Sequence, residues 1–517
     1  MGIAAINIGG STMCTFLDMP TEMNKIPSTR IISWNPDKLA DFKAKYNIDH
    51  ISAIIIDEVS MVKPWMLAYL DGRLKEATQI YNKPFGGIAM IMLGDFDQQP
   101  PIGGTSLPNL SMTMLRKQHL AKRGIFNVKQ SRKQEVEINS TLSKRGVDLF
   151  QQAAHIRLTV QYRCTDDPNH MALLTKMNSG SKISPSDLSL YKQLTKEDLT
   201  PEKFLFGTII VTGNYERHEL NAFQSQLWAH HFNTQIIRWK KRINYDKWIG
   251  RPATEEKLHE AEKENCFWEY FVPMAPAYLN YNINVEEGLA NGTLVRLHSL
   301  SMETHEEQEY LNQQLEETLI GETINLPDPP KSINVELYPD FNYDDQPKRN
   351  ENLRKRNQWQ LGSLVRDGSK IIIPISIDHR DKVKPKTESI RAMSSPVYIR
   401  ASKVPLAGYF PLDLGFCITV PKAQGRTIHR VIASLSEHPI PFLKFSWEQL
   451  YVVLSRIRHH DDLRLLLPLN NRNTLTYIAN LEKDQSTAHY FAGFQHQTDN
   501  DLVYWNADAA SRAAGFT

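Results

Sequence analysis

Residues Ala53–Met61 read AIIIDEVSM, an apolar run that ends abruptly in two carboxylates. Four apolar residues in succession, three of them β-branched, suit a parallel strand covered on both faces. Asp57 and Glu58 then fall where that strand emerges. In an open α/β sheet the binding crevice lies outside the carboxyl ends of the strands. An aspartate there can hold a divalent cation, and the adjacent glutamate can orient or deprotonate a water. Taken alone, the stretch reads equally well as a core strand running into a helix with an acidic first turn, which the helix dipole favours.

A second strand with a polar tip changes that balance. Ile88–Pro101 reads IAMIMLGDFDQQPP, in which an apolar run ends in Gly94 and Asp95. Gln98 and Gln99 follow, and Pro100 and Pro101 stop any helix and stiffen the loop. A stiff loop that carries an amide suits phosphate sensing. AIIIDEVSM is a Walker B pattern, and with GDFDQQPPI about thirty residues later it resembles the Pif/RecD-like family of DNA helicases in superfamily one.

Further stretches extend the resemblance along the chain. Gly2–Phe16, GIAAINIGGSTMCTF, is similar to the family motif that follows the phosphate loop, with Ser11 and Thr12 in its Gly-rich turn. Val147–Arg163, VDLFQQAAHIRLTVQYR, reads as a helix and then a strand ending in Arg163. Thr208–Asn221, TIIVTGNYERHELN, resembles the opening of a second RecA-like domain, with Asn214 and Asn221 at its polar positions. Gly288–Val295, GLANGTLV, resembles the family's GLxNGT turn, and its Asn-Gly is a hairpin signal in its own right. Pro411–Val431 carries TVPKAQGRT, close to the fifth motif, with Pro421 where the family has histidine; a strand-end geometry there is expected to be altered, since proline removes a donor and fixes φ. Glu448–Arg458, EQLYVVLSRIR, matches the sixth motif and supplies Arg456.

The resemblance implies an α/β fold: two RecA-like P-loop NTPase domains, parallel sheets flanked by helices, with a small β-rich insertion in the second. The expected boundaries are 1–155 for the first domain, 156–237 and 397–517 for the second, and 238–396 for the insertion. It implies ATP and Mg²⁺ as cofactors, the metal on Asp57, a water positioned by Glu58, and a γ-phosphate sensed by Gln98 and neutralised by Arg163 and Arg456. Gly94, Asp95 and Gly425 complete the expected nucleotide contacts. Ser11, Thr12, Thr419, Lys422, Gln424 and Thr427 are the expected contacts to DNA. The implied function is an ATP-dependent, 5′ to 3′ DNA helicase acting on single-stranded or forked DNA in telomere maintenance, repair or recombination.

One element of that family is missing from the sequence. A G-x-x-x-x-G-K-[ST] loop, whose amides and lysine cradle the phosphates, does not occur in the 517 residues. The resemblance therefore implies a sequence that starts inside its first domain. Gly362–Lys370, GSLVRDGSK, has glycines and a lysine but reads as a turn before the strand IIIPI. Two other readings follow: a catalytically silent remnant that binds single-stranded DNA, and a transposon-borne helicase fragment of the Helitron kind. A GTPase or other P-loop enzyme is disfavoured by the two arginine motifs.

Composition excludes several classes. Lys plus Arg total 60 against 58 Asp plus Glu, so any nucleic-acid surface is a local concentration of charge. The cysteines Cys14, Cys164, Cys266 and Cys417 lie far apart in no metal-spaced pattern, which predicts free thiols and no structural zinc. No apolar run approaches the roughly 18 residues of a membrane span. The expected setting is reducing and intracellular, the nucleus first and the mitochondrion second, and the expected state is a monomer.

Local patterning supplies the remaining expectations. Lys63–Ile80 places Met66, Leu67, Leu70 and Leu74 on one helical face. Leu115–Arg145 is basic and reads as a solvated loop in preference to a DNA-tracking surface, Glu303–Glu317 is an acidic helix, Leu326–Asp340 irregular loop, and Arg354–Arg356 a charged loop in preference to a nuclear-localisation signal. The tail beyond Asn471 reads as a peripheral helix and loop.

Overall fold

The computed structural model describes residues 10–17, 34–125, 137, 140–243, 264–283, 289–337, 365–367, 370–377, 387–390, 402–435, 445–466, 472–498 and 501–516. Gly2–Gly9, Gly288, Gly362 and Arg354–Arg356 lie outside them.

Ala53–Ile56 (β1) and Ala89–Met92 (β2) form a parallel pair in which Ala53 faces Ala89 and Ile56 faces Met92. The helix Pro64–Thr78 begins with proline, where no N–H is needed, and ends at Gln79 in the left-handed region. It buries Leu67, Leu70, Leu74 and Ala77 completely or nearly so, whereas Met66 is only partly buried. Its Asp71 is fully buried, accepts from the Phe85 N–H at 2.6 Å, and pairs with Lys75 and Arg145. Arg145 belongs to the helix Thr141–Gln151, which packs so closely on Pro64 that a Cβ at Gly146 would lie 1.7 Å from the Pro64 carbonyl oxygen. The basic stretch expected as loop is thus helical at both ends, through Leu107–Lys122 and Thr141–Gln151.

A second, five-stranded sheet is parallel throughout, in the order Cys417–Thr419, Thr208–Val211, Val431–Ser434, Leu463–Leu466, Lys192–Gln193. Asn221, on the helix Asn214–His231, bridges to its edge: its side chain donates to the Cys417 carbonyl at 3.0 Å and accepts from the Cys417 N–H at 2.9 Å. Between these strands in sequence lies a six-stranded antiparallel sheet that includes Pro276–Leu279, Leu294–Ser301, Ser332–Leu337, Lys370–Ser376 and Leu412–Leu414.

Three local expectations are corrected. Leu326–Asp340 is not wholly irregular: Ser332–Leu337 pairs on both edges inside the antiparallel sheet, with Ile333 and Val335 buried, an alternation hidden by flanking prolines. The segment after the 141–151 helix forms no strand: it makes a single bridge from His155 to Val503, and Ile156 to Tyr162 are all exposed. The tail is not peripheral. Tyr490 is fully buried, its ring stacked on Phe150 at 5.5 Å and on Trp505 at 5.2 Å, so the last helices complete the core around β1 and β2.

Candidate nucleotide site

Glu58 sits just past β1 in the left-handed region, φ 55° and ψ 44°, which costs a non-glycine residue roughly 1–2 kcal/mol. Local bonds hold it there. Asp57 Oδ1 accepts from the Glu58 N–H at 2.8 Å, and the Val59 N–H donates to the Leu93 carbonyl at 2.9 Å. The loops after β1 and β2 are pressed together, since a Cβ on Gly94 would come within 2.8 Å of Val59 N. A chain that bends this sharply turns the Glu58 side chain away from its own sheet. Its Oε2 accepts from Gln424 Nε2 at 3.0 Å, across the gap to the second half.

The loop after β2 is organised by Asp95. Its Oδ1 accepts from the Asp97 N–H at 2.9 Å, and its Oδ2 faces Gln98 Nε2 at 3.4 Å. Gln98 Oε1 is buried without a partner among the described residues, as is Gln424 Oε1. Asp97 pairs with Lys483 at 2.6 Å, and the same ammonium donates to the Asn178 carbonyl at 2.8 Å and lies 5.4 Å from the Trp447 ring. Burial pushes the Asp97 carboxyl up to about 6, against the opposing pull of Lys483.

The second half contributes the arginines. Arg163 donates to the Ser455 carbonyl at 2.6 Å. Arg456 is 1% exposed, and its guanidinium donates to the Val452 carbonyl at 2.9 Å, the Arg426 carbonyl at 3.3 Å and Ser455 Oγ at 2.7 Å. Burial and then the Arg163 charge lower its pKa to about 10, while Glu58, Tyr451 and Asp95 act to raise it. Burial and the facing Asp95 also push the Tyr451 hydroxyl up. The structure thus brings Glu58, Asp95, Arg163, Gln424 and Arg456 to one cleft, with Asp57 exposed at its edge and Gln98 beside Asp95.

A buried cation, Arg456, and a half-buried one, Arg163, beside carboxylates and unpartnered amide oxygens form a donor set suited to a polyanion with its waters. That fit covers the cation, water and arginine positions; the described residues hold no Gly-rich phosphate cradle.

The residues expected to touch DNA are spread differently. Thr12 caps the short helix Met13–Phe16, its Oγ1 accepting from the Thr15 N–H at 3.1 Å, with Ser11 just before it. Thr419 precedes the short helix Val420–Ala423 without capping it. Lys422 turns toward the antiparallel sheet, donating to Asn280 Oδ1 and to Asp413 Oδ2 at 3.4 Å, and Asp413 also pairs with Arg217 at 2.6 Å. Gln424 faces Glu58 instead of solvent, Gly425 takes φ 74°, and Thr427 is half-buried. Pro421 lies in the first turn of that helix rather than at a strand end, a position where proline's missing N–H removes no helical bond.

Residues 1–164 match the family model described as PIF1-like helicase. Over those residues, about a third of the chain, it is similar to that family. A PIF7 ATP-dependent DNA helicase of Trypanosoma brucei brucei is 32% identical over 109 residues, 20% of this chain and 10% of that protein. The PIF1 ATP-dependent DNA helicase of Candida albicans is 22% identical over 510 residues, 90% of this chain and 48% of that protein. The chain therefore spans about half or less of these curated relatives. A Bacteroides Pif1 structure bound to single-stranded DNA superposes with a TM-score of 0.50 at 18% identity, covering 91% of this chain and 84% of that one. The chain thus has the α/β fold of two RecA-like units expected from its motifs.

Some of the site was not legible in the sequence. The bond from Gln424 to Glu58 joins positions 366 residues apart, and Lys483 lies 386 residues from Asp97. No local pattern marks Lys483; its only signal is a lone lysine before a helix in a stretch expected to be peripheral.

Proposed function

We propose that this chain is the motor portion of an ATP-dependent DNA helicase that hydrolyses ATP in the cleft between its two halves while tracking along single-stranded DNA. The observation that carries the proposal is the hydrogen bond from Gln424 to Glu58, which joins the proposed water-positioning carboxylate of one half to the fifth-motif segment of the other. Closure of the cleft and placement of Glu58 are then one event. Bound ATP with Mg²⁺ would supply the phosphoryl group whose transfer to water drives the cycle. Asp57 would hold the metal and Glu58 would orient the attacking water. Gln98 would sense the terminal phosphate, while Arg163 and Arg456 offset charge developing there, an effect of about 10³–10⁵ in rate for such arginines.

Polarity of 5′ to 3′, action on forked DNA, and a nuclear role in telomere maintenance, repair or recombination belong to the same reading. For DNA, the proposed contacts are Ser11, Thr12, Thr419 and Thr427, with Lys422 joining once it leaves Asp413. Such contacts are mostly to phosphate, and each one neutralised on a single strand steepens the dependence of log K on log salt by about 0.7.

Fluorescence anisotropy of a labelled oligonucleotide across a salt series tests the DNA part. Binding that weakens with salt, and weakens further in Thr419→Ala with Lys422→Ala, is expected. Absence of binding at low salt, or binding indifferent to both changes, would place the DNA track elsewhere.

A further inference from the structure

Asp167, His459 and His460 bring three metal-ligand atoms together beyond the arginine-bearing segments, each within 4.8 Å of the others. Asp167 is 2% exposed and fixed by its neighbours. Its Oδ1 accepts from the His170 N–H at 3.0 Å, capping the helix Pro168–Asn178, and its Oδ2 accepts from the His460 N–H at 2.7 Å. The same Oδ2 lies 2.6 Å from His460 Nδ1 and 4.0 Å from His459 Nε2. Burial alone would raise the Asp167 pKa, but the N–H groups of His170 and His460 and the His460 ring bring it down to about 2, so the carboxylate is charged at neutral pH.

The histidines are arranged as a pair. Their rings stack at 4.4 Å with an interplanar angle of 29°. The nitrogens turned away from Asp167, His459 Nδ1 and His460 Nε2, lie 3.7 and 3.8 Å from Asp461 Oδ2. A carboxylate behind a histidine is the usual outer partner of a metal-bound imidazole, fixing its tautomer and raising its basicity. Asp461 is itself held by Lys192 at 2.8 Å. Both rings are partly exposed, so an ion can reach them from solvent.

We propose that Asp167, His459 and His460 form a binding site for a divalent transition-metal ion of the zinc class, with water completing its coordination. Two imidazoles and one carboxylate favour Zn²⁺ over the hard cations Mg²⁺ and Ca²⁺, which take oxygen ligands. The wide cysteine spacing bears only on cysteine-bound zinc; this site uses none. On binding, the ion takes the place of the proton on His460 Nδ1, and the neutral ring keeps its proton on Nε2, toward Asp461. His459 ligates through Nε2 and carries its proton on Nδ1, which exchanges the Asp461 N–H now donated to it at 3.1 Å for the Asp461 carboxylate.

Asp167 follows Arg163 by four residues and His459 follows Arg456 by three. An ion here would therefore tie together the two segments that present the arginines. That consequence rests on the proposed nucleotide reading; the binding of metal does not.

Zinc titration of the full chain by calorimetry, with Co²⁺ absorption as a second readout, tests the site directly. One equivalent of Zn²⁺ and a Co²⁺ ligand-field band are expected in the parent. His459→Ala and His460→Ala should each weaken binding at least about tenfold and remove the band, as loss of even outer-shell partners does elsewhere. His460→Ala also disturbs the cap on Asp167, so His459→Ala, whose ring makes no close bond to that carboxylate, is the decisive variant. His496→Ala is the control: it breaks the other histidine pair, His155 Nδ1 to His496 Nε2 at 2.9 Å, and should leave binding unchanged. No saturable Zn²⁺ binding, or binding that survives both substitutions and is lost with His496→Ala, would overturn the proposal, whatever the chain does with ATP.

Discussion

The two parallel sheets of this chain are covered to very different extents. In the five-stranded sheet every residue of Val431–Ser434 is buried, and Ile210 and Val211 on the neighbouring strand are fully enclosed. In the two-stranded sheet Ile55 is 55% exposed and Ile91 46% exposed, and Leu93 just beyond is also open. Parallel sheets are ordinarily buried on both faces, and a two-stranded pair alone is marginal. The segment Ile156–Tyr162 likewise leaves apolar side chains open, with Leu158 85% exposed and no ladder partner. The half that carries the acidic pair is thus a sheet with uncovered apolar surface, while the half that carries Arg456 is closed.

Substitution at matched positions measures the contrast. Ile210→Ala in the closed sheet should cost about 2–5 kcal/mol in urea unfolding, the range for a truncated core isoleucine. Ile55→Ala should change stability by no more than about 0.5 kcal/mol, as at a surface position. Equal losses at both sites would mean that the open face is covered in solution.

Lys483→Met probes how the C-terminal segment braces the loop of the open half. It leaves Asp97 as a buried carboxylate without its cation and should cost roughly 2–3 kcal/mol at pH 8. The folded pKa of Asp97 lies above its unfolded value, so the folded state keeps a proton that the unfolded chain gives up between about pH 4 and 6. Stability from this group therefore falls as pH rises through that window, and the penalty in Lys483→Met should be smaller at pH 5 than at pH 8. A penalty that grows toward pH 5 would contradict this account of the pair.

The smallest expected effect concerns the unladdered segment. Leu158→Lys with Val160→Lys should leave the unfolding midpoint within about 0.5 kcal/mol of the parent. It should also reduce concentration-dependent association in sedimentation, because charge replaces exposed apolar surface at Leu158 and Val160. A large loss of stability would show that these residues are already packed.

What the sequence made legible follows from how local each feature is. AIIIDEVSM and GDFDQQPP each encode a strand and its tip within a dozen residues, so the acidic pair, the amide loop and the parallel pairing could all be read from them. The helix Trp447–Leu454 could be placed because EQLYVVLSRIR matches the sixth motif, with Tyr451, Val452 and Leu454, all buried, packing it down ahead of Arg456. Ser332–Leu337 was hidden because prolines on either side outweigh a short alternation. The closure of the first core by Tyr490 and Trp505, and the contacts of Lys483 and Gln424, depend on residues hundreds of positions apart. Lys422 was legible as a motif residue, but its bond to Asp413 depends on a strand of the insertion and could not be read from the motif.

The central proposal is that Asp57, Glu58, Gln98, Arg163 and Arg456 serve phosphoryl transfer, and DNA-stimulated ATP hydrolysis tests it most directly. Two proteins are needed: this chain alone, and this chain preceded by the phosphate-loop strand and helix of a PIF1-like relative. The account predicts no turnover by the chain alone above its Glu58→Gln variant. The extended protein should show DNA-stimulated turnover that is abolished by Glu58→Gln and reduced at least about a thousandfold by Arg163→Ala. Robust hydrolysis by the chain alone, or turnover in the extended protein indifferent to Glu58, would contradict it.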